Sequence, residues 1–451
     1  NLPIGQMEEK FADYGEVQIK QLNDRSKMYY TPNKENNVFQ LIVQYGAGER
    51  EFPKLGYAAQ LMNNAGIMGA YEPQELKEEL SKLNATCHVT ADEDNLYIIM
   101  EGYEATLPQA CQLLSRQILM PKLDEKQLAR LKGSAMGMRQ QRKDNVSILN
   151  EALRQYMLYG EKSDYIKELT DKEIYELQIS ELTGDINRAS NYEAKVFFTG
   201  TLPFDQVYDI LSKNLPLVAN ERPSNSPQAK EMMPVTENTV YFLPNNDAEQ
   251  AQIHLYIPMQ KADKKDDVLR SAFNQYFGLD FTGIVLNEIR EKRSMAYTAY
   301  AFVGTQGIAG KASYLRGYIG TQNDKANDAL DVLMSLVNDM PKNPERIGNI
   351  KSYLRQAMLT SHPSFRNKAM ELVDLGYRGY TDDPAKENLP KVDALTFDDI
   401  VKFYEENIKG KPYCISIMGN PKDIDLKRLE KFGKVVKLNE RKLFNTKDAL
   451  F

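Results

Sequence analysis

The sequence predicts an α+β protein made of two tandem homologous domains, each an antiparallel sheet with helices packed on one face. Three observations support this class. A length of 451 residues suits two cores better than one. A cluster of turn-forming residues occupies 219–234. The same order of strands and helices occurs on both sides of that cluster. We therefore expect a first domain over residues 1–217, a linker over 218–236 and a second domain over 237–451.

In the first half, strands are predicted where β-branched and aromatic residues concentrate, and helices where apolar residues recur at i, i+3 and i+4. The predicted strands are Val38–Tyr45, 96–100 and 196–200. The predicted helices are 55–64, 73–83, Leu107–Leu119 and one long helical segment over 124–158.

The second half repeats this order after the linker. Its predicted strands are 253–258, 296–302, 313–319 and a final strand at 413–418. Its predicted helices are 268–277, 282–293 and 324–339, followed by a long helical stretch before the last strand.

A direct comparison of the two halves indicates a duplication. Moving residues 76–87 by 210 positions places them on 286–297, and both copies run helix, short turn, strand. Three identities coincide in this register: Leu76 with Leu286, Glu78 with Glu288, and Lys82 with Lys292. The shared order of elements is stronger evidence for the duplication than these single matches.

Charge and hydropathy exclude two classes of partner. The formal net charge is −6, and the basic residues are spread along the chain without forming a basic face. Binding to a phosphate backbone depends on clustered Lys and Arg, so we expect no nucleic acid partner. Because the chain has no apolar run of 18 residues, we also expect no membrane span in it.

Residues that bind metals or act as nucleophiles are few and scattered. The three histidines fall in separate elements and give no i, i+4 pair, so we predict no metal site in this chain and a hydrogen-bonded or solvated role for each. The three cysteines are odd in number and far apart, which predicts buried thiols. These residues are His88, His254, His362, Cys87, Cys111 and Cys414.

The segment 282–300 is the strongest candidate for a functional site. Leu286 and Ile289 share a face of the predicted helix, and Arg290 follows Leu286 by one turn. Tyr297 begins the next strand, seven positions after Arg290, so we expect both side chains to converge on one cleft. Taken alone, such an arginine is typical of a helix end at the surface, and such a tyrosine of a half-buried sheet edge.

The string Leu-Asn-Glu-Ile-Arg-Glu-Lys-Arg-Ser-Met-Ala-Tyr at 286–297 resembles the "LR-E-K-x-x-x-A-Y" signature of the M16 family of zinc peptidases, the pitrilysin- and insulysin-like enzymes. In that family the signature belongs to the domain facing the zinc-bearing one. The similarity extends to 395–420 and, in the first half, to 182–200, so it covers nearly the whole chain in two copies. It implies that Tyr297 donates a hydrogen bond to the oxyanion during peptide hydrolysis. It also implies that Arg290 grips a substrate carbonyl or orients the tyrosine.

The zinc ligands of the family have no counterpart in this sequence. The family carries His-x-x-Glu-His on the first helix, and the resemblance places Ala59, Met62 and Asn63 at those three positions. The third ligand, a downstream glutamate, falls near Met138. The resemblance therefore implies zinc only in the full enzyme, bound by a different half or subunit.

A first repeat without ligands and a second repeat with Arg290 and Tyr297 is similar to the C-terminal half of the long, single-chain M16 enzymes, which close as a clamshell around a peptide. The implied partners are a zinc-bearing M16 half or subunit and a peptide substrate. We expect this chain alone to hydrolyse no peptide. A start at residues 1–5 without an initiator methionine agrees with a piece of a longer protein.

Two alternatives remain open. One is a non-catalytic partner subunit of a heteromeric M16 peptidase, in which a separate chain holds the zinc. The other is a peptide-binding or structural module, similar to the core subunits of respiratory complexes in the same family. Retention of both Arg290 and Tyr297 argues against a purely structural role, because a scaffold needs neither. A His-x-x-Glu-His half upstream in the same polypeptide would distinguish the single-chain enzyme from the partner subunit.

Overall fold

The computed structural model describes residues 9–278 and 282–447 of the chain. Within these residues the strands form two six-stranded sheets and one two-stranded ladder, and helices surround both sheets. The predicted α+β class is confirmed. Residues 1–5, which suggested a piece of a longer protein, lie outside the described residues.

The first half of the described chain supplies one six-stranded sheet and the small ladder. Its strands are β1 (Gln18–Gln21), β2 (Lys27–Pro32), β3 (Val38–Tyr45), β4 (Gly66–Ile67), β5 (Ala85–Ala91), β6 (Leu96–Tyr103), β7 (Pro121–Lys122) and β8 (Ala194–Gly200). Its helices are α1 (Leu55–Met62), α2 (Pro73–Lys82), α3 (Leu107–Leu119), α4 (Glu125–Gln140), α5 (Val146–Tyr159), α6 (Asp164–Lys167), α7 (Asp171–Tyr175), α8 (Ile179–Ala189) and α9 (Phe204–Asn214).

The second half supplies the other six-stranded sheet. Its strands are β9 (Thr239–Pro244), β10 (Gln250–Lys261), β11 (Ala296–Thr305), β12 (Ala312–Gln322), β13 (Cys414–Gly419) and β14 (Lys434–Lys437). Its helices are α10 (Asp267–Phe277), α11 (Ile284–Leu286), α12 (Ala326–Asn338), α13 (Ile347–Thr360), α14 (Lys368–Tyr377), α15 (Pro384–Ala394), α16 (Phe397–Asn407) and α17 (Leu426–Leu429). The boundaries 1–217, 218–236 and 237–451 stay a prediction.

The two sheets share one strand order. The first runs β1-β2-β8-β3-β6-β5, and the second runs β14-β9-β13-β10-β12-β11. Most neighbours are antiparallel, as predicted, but each sheet contains a parallel pair at the same place: β2 with β8, and β9 with β13. The edge strand β14 also lies parallel to β9. The prediction of antiparallel sheets missed these pairs because β2 and β9 were not among the strands predicted from the sequence.

One face of each sheet packs against helices of its own half, as the sequence predicted. In the first half, the buried core joins Leu41 and Phe198 of the sheet to Leu107 of α3 and Ile186 of α8. In the second half, a similar core joins β10, β11 and β12 to α10, α12 and α16. Each fully buried Leu, Ile or Phe contributes about 1.5–3 kcal/mol. These two cores fix the ends of the strands that carry the site described below.

The opposite face of each sheet receives a helix from the other half. Helix α5 places Leu149 against Met418 of the second sheet. Helix α14 places Ala369 against Phe197 of the first sheet. The two halves therefore exchange helices, so each sheet is covered on both faces.

The long helical segment predicted over 124–158 is broken in the structure. Helix α4 ends in a 3-10 turn at Gln141–Asp144, and Asn145 then caps α5 by accepting a hydrogen bond from the Ile148 backbone N–H. The break lets α5 leave the first core and reach the second sheet.

Backbone geometry reproduces the predicted repeat register. Asn84 and Ser294 are the two non-glycine residues with positive φ in the described chain, at 50° and 49°. They lie 210 positions apart, which is the offset expected from the sequence. Asparagine and serine tolerate this left-handed conformation less well than glycine, so its recurrence between a helix and the edge strand of each sheet indicates that both copies share one turn geometry.

Candidate functional site

Arg290 lies on an irregular helical turn. The sequence predicted an α-helix over 282–293, but α11 ends at Leu286 and continues as a single π turn over Asn287–Glu291. The backbone N–H of Lys292 donates to the Asn287 carbonyl at 2.9 Å, which closes this wider turn. Single π turns are rare and often occur at functional sites, because they shift the side chains that follow around the helix.

Ile289 anchors the π turn, since its side chain is fully buried in the second core. The next residue, Arg290, keeps 44% of its side chain exposed, and its Nε lies 3.7 Å from a carboxylate oxygen of Glu291. Burial of Ile289 therefore fixes the backbone and leaves the Arg290 guanidinium at the surface. Within the described part of the chain, its one ion pair is the long contact with Glu291.

A left-handed turn and a bulge position Tyr297. After Ser294 turns the chain, β11 begins at Ala296, the edge strand of the second sheet. Ala296 pairs with Thr321 and Thr298 pairs with Gly320, so Tyr297 is the extra residue of a β-bulge. Bulges re-aim a side chain relative to a regular strand. Tyr297 is 64% exposed, and its hydroxyl has no hydrogen-bond partner among the described residues.

Arg290 and Tyr297 line the same cavity, of about 360 Å³. We call it the Arg/Tyr cavity. Its lining residues are Arg290, Glu291, Ser294, Met295, Ala296, Tyr297, Gln322 and Lys325. The structure thus brings together the two side chains that the sequence placed seven positions apart, while their catalytic role stays a proposal.

Glu288 organises the charges behind the cavity. Lys292 Nζ lies 2.6 Å from Glu288 Oε1, and Arg293 Nη1 donates to the Glu288 carbonyl at 2.7 Å as well as to its carboxylate. Hydrogen bonds from Arg293 and Lys292 hold the pKa of Glu288 below its usual value. Lys292 and Arg293 therefore form ion pairs with Glu288 within their own turn. Of the basic residues in the 286–297 segment, Arg290 is the one that lines the cavity.

The structure also shows what occupies the expected zinc positions. Ala59 and Met62 are 1% and 0% exposed and belong to the first core. Met138 lies on α4 with 61% of its surface exposed. Zinc in proteins takes thiolate, imidazole or carboxylate ligands, and a methyl group, a buried thioether and the Asn63 amide do not fit it. No step of zinc chemistry is therefore assigned to these residues.

Asn63 has a structural role that recurs in the second half. Its side-chain amide donates to the Val89 carbonyl at 2.9 Å and accepts from the Val89 N–H at 2.8 Å, which ties α1 to the edge strand β5. In the second half, Asn274 of α10 binds Val303 of β11 in the same reciprocal way, at 3.0 and 2.6 Å. We call this contact the asparagine clamp. It holds the edge strand of each sheet against its first long helix.

The remaining candidate ligands are placed as follows. His254 is buried with its Nε2 3.1 Å from Asn150 Oδ1, as predicted for a hydrogen-bonded histidine, and burial lowers its pKa to about 3. Cys111 and Cys414 are buried, as predicted, whereas Cys87 is half-buried; burial raises the pKa of the Cys87 thiol to about 12. Among the described residues, no three His, Cys, Asp or Glu side chains form a group that could hold a metal ion. No helix in the described ranges is long and apolar enough to cross a membrane.

Sequence reasoning missed two residues of the cavity. Gln322 ends β12, and Lys325 follows it in the first turn before α12. A signal for both was present: 296–302 and 313–319 are consecutive predicted strands, and an antiparallel hairpin places the end of the second strand beside the start of the first. Thr321 indeed pairs with Ala296.

Comparisons with known proteins agree with this architecture. Residues 190–351 match a family model described as the Peptidase M16 inactive domain, a range that contains Arg290 and Tyr297. No curated protein matches the sequence.

Solved structures of similar length share the fold along nearly the whole chain. The peptidase M16 inactive domain from Pseudomonas fluorescens is 17% identical with a TM-score of 0.70, and the match covers 91% of this chain and 99% of that chain. A conserved protein from Enterococcus faecalis is 14% identical with a TM-score of 0.70, covering 91% of this chain and 100% of that chain.

Two longer proteases share the fold over about half of their length. The periplasmic protease PqqL from Escherichia coli is 12% identical with a TM-score of 0.66, and the match covers 93% of this chain and 48% of that chain. The ferredoxin protease FusC, in complex with Arabidopsis ferredoxin, is 12% identical with a TM-score of 0.70, covering 93% of this chain and 47% of that chain. The chain spans about half the length of these two proteases.

The fold and the family match together define the class: this is a duplicated α+β protein of the kind found in M16 peptidases. Residues 190–351 are similar to the M16 inactive domain, and the chain as a whole shares the fold of a solved M16 inactive domain.

Proposed function

We propose that this chain is the substrate-binding half of an M16 zinc peptidase and acts opposite a separate zinc-bearing half. The observation that carries the proposal is the convergence of Arg290 and Tyr297 on one open cavity. The cavity lies at the edge of the second sheet, beside a π turn and a bulge that hold the two side chains outward.

Tyr297 is suited to stabilise the negative charge that develops on the substrate carbonyl oxygen. Its hydroxyl is free of protein partners in the described chain, so the donor is available without breaking an existing bond. In the assembled peptidase, zinc of the other half supplies activation of the attacking water. A donor that binds the oxygen more strongly as its charge grows lowers the barrier by about 2.7–4 kcal/mol.

Arg290 is suited to hold the peptide backbone. A guanidinium is always charged near neutral pH and offers five N–H donors in a rigid fork. One of these nitrogens lies loosely near Glu291 at 3.7 Å, and no closer carboxylate is recorded for Arg290 in the described chain. Donors remain for a substrate carbonyl.

The exposure of both side chains is consistent with a site completed by a partner. Tyr297 is 64% exposed and the Arg290 side chain 44% exposed. When a second half closes over the cavity, water is excluded and each hydrogen bond to the substrate becomes stronger. Closure then couples peptide binding to assembly of the site.

The zinc-bearing half is proposed to lie in the same polypeptide, which makes this chain the C-terminal half of a clamshell enzyme. The double length of the two matched proteases supports this arrangement. A second candidate is a partner subunit that pairs with a separate zinc chain. It is favoured by relatives that this chain matches over 99% and 100% of their length.

The proposal is tested first on the isolated chain. We expect no stoichiometric zinc by metal analysis and no cleavage of a peptide library. Chelator-sensitive hydrolysis by the metal-analysed chain would contradict the proposal.

A second test uses the assembled peptidase with Arg290→Gln. Loss of a charge-assisted hydrogen bond to the substrate should lower kcat/KM by about tenfold to a hundredfold. Arg130→Gln is the matched control, since Arg130 is an exposed arginine on α4 whose recorded side-chain bond is a single 3.4 Å contact to the Lys126 carbonyl. Equal effects of the two substitutions would remove Arg290 from substrate binding.

A further inference from the structure

The basic side chains near the Arg/Tyr cavity fall into two groups. Lys292 and Arg293 both bind Glu288, so their charges are compensated within the helical turn. Arg290 and Lys325 line the cavity itself. The cavity thus combines two cations with a single carboxylate, that of Glu291, among its lining residues.

Lys325 is the cation of the cavity without a carboxylate of its own. The one carboxylate of the lining, Glu291, lies 3.7 Å from Arg290. Lys325 Nζ instead donates to the backbone carbonyl of Ser294 at 3.2 Å, and no ion pair to it is recorded in the described ranges. An ammonium group has three donors, so two remain available at the cavity.

The backbone explains how Lys325 is held there. Ser294 adopts the left-handed conformation at φ 49°, and its carbonyl accepts the hydrogen bond from Lys325. The turn that leads into Tyr297 therefore also positions the lysine. One backbone feature places a phenol and an ammonium group on the same cavity.

The position of Lys325 runs against local helix preferences. It ends the 3-10 turn Asn323–Lys325, which continues directly into the 13-residue helix α12. The first turn of a helix favours acidic side chains, because the helix dipole is positive at that end. A lysine that occupies a position where an acidic residue is favoured, and that also lines a cavity, is a candidate for binding an anion.

We propose that the Arg/Tyr cavity accepts an acidic side chain of the peptide substrate and that Lys325 selects it. This inference rests on the proposed function, because it names the substrate chemistry of the same site. Arg290 and Tyr297 hold the backbone around the scissile bond, and Lys325 binds the carboxylate of a neighbouring Asp or Glu. The substrate class is a peptide with an acidic residue beside the cleaved bond.

The test compares peptides in the assembled peptidase. Each pair differs only by Glu or Gln at one position flanking the cleaved bond, and each pair is made once with an amidated and once with a free C-terminus. We expect kcat/KM to favour the Glu peptide by about fivefold or more at low salt, with a smaller preference at high salt because ions screen the exposed pair.

Variants at the lysine then identify the residue responsible. Lys325→Met should bring the Glu-to-Gln ratio to about one, and Lys325→Glu should bring it below one. Lys402→Met is the matched control, because Lys402 lies on α16 with 74% of its side chain exposed, and it should keep the wild-type ratio. An unchanged ratio in Lys325→Met overturns the inference. A preference that appears only with a free C-terminal carboxylate also overturns it, since the anion would then be the peptide terminus.

The outcome for Tyr297 separates this inference from the proposed function. If Tyr297→Phe lowers turnover while Lys325→Met keeps the wild-type ratio, the acidic-residue inference alone fails. If Tyr297→Phe leaves turnover unchanged, the proposed function fails, whatever the ratio.

Discussion

Substitution of Tyr297 by Phe removes one hydroxyl group and keeps the aromatic ring. The ring is 64% exposed at a bulge, and the hydroxyl has no partner in the described chain, so the folded chain loses no hydrogen bond. Exposed substitutions of this kind change the free energy of unfolding by less than about 0.5 kcal/mol. The thermal midpoint of the isolated chain should therefore be unchanged.

In the assembled peptidase, by contrast, we expect the Tyr297→Phe substitution to lower kcat. Loss of one donor to the developing oxyanion typically costs about 2.7–4 kcal/mol, a factor of about a hundred to a thousand in kcat. In the proposed assembly the partner half covers this exposed tyrosine only on closure, and we set the expected loss of kcat at tenfold or more. The ground-state carbonyl is a weaker acceptor than the oxyanion, so KM should change by less than about twofold.

The assay is steady-state cleavage of an internally quenched fluorescent peptide, with wild type and variant at equal zinc content. Tyr353→Phe is the control, since Tyr353 is another exposed tyrosine, on α13 with 44% exposure. A kcat of Tyr297→Phe within twofold of wild type would refute the reasoning. So would a loss of kcat that is accompanied by a lower thermal midpoint, because the effect would then come from folding.

Three further predictions concern stability. Asn63→Ala breaks the clamp on the edge strand and leaves two backbone groups unpaired, so urea denaturation should show a loss of about 1–3 kcal/mol, and a change under about 0.5 kcal/mol would contradict it. Burial lowers the pKa of His254 from 6.5 to about 3, so the unfolded chain takes up a proton that the folded chain does not. The free energy of unfolding should fall as pH drops from 6.5 towards 3, and His254→Gln should weaken this pH dependence. The same pH dependence in wild type and His254→Gln would contradict the prediction. Hydrogen bonds from Lys34 and Lys368 lower the pKa of Glu16 from 4.5 to about 2. Its contribution is present above pH 4.5 and lost as pH falls towards 2, so Glu16→Gln should cost about 1 kcal/mol at pH 7 and little near pH 2, whereas a cost independent of pH would exclude the ion pairs.

Local patterns in the sequence predicted the long helices and several central strands, but not strands β1, β2, β9 and β14. The bounds of Val38–Tyr45 and Leu107–Leu119 are those expected, because apolar spacing records which face of a strand or helix is buried. The same patterns did not reveal that α5 and α14 cover the sheet of the opposite half. Apolar spacing shows that a face is buried, but the choice of the surface that buries it depends on contacts between distant parts of the chain.

The candidate site was predictable in composition but not in geometry. The seven-residue spacing placed Arg290 and Tyr297 near each other, and both do line one cavity. The π turn at Asn287–Glu291 and the bulge at Tyr297 each insert a residue into regular hydrogen bonding. A repeating apolar pattern does not record such an insertion, which is why a regular α-helix was predicted. Lys325 was missed because it lies in the turn after β12, and only the pairing of β12 with β11 brings that turn to the cavity.

The central claim is that Tyr297 meets the substrate carbonyl beside a zinc held by another half of the peptidase. A structure of the assembled peptidase with an uncleaved peptide, trapped by inactivating the zinc-bearing half, measures this directly. We predict that the Tyr297 hydroxyl lies about 2.7–3.2 Å from the scissile carbonyl oxygen, with Arg290 donating to the peptide backbone. A peptide bound at the zinc with Tyr297 still facing solvent, out of hydrogen-bond reach of that oxygen, would contradict the account.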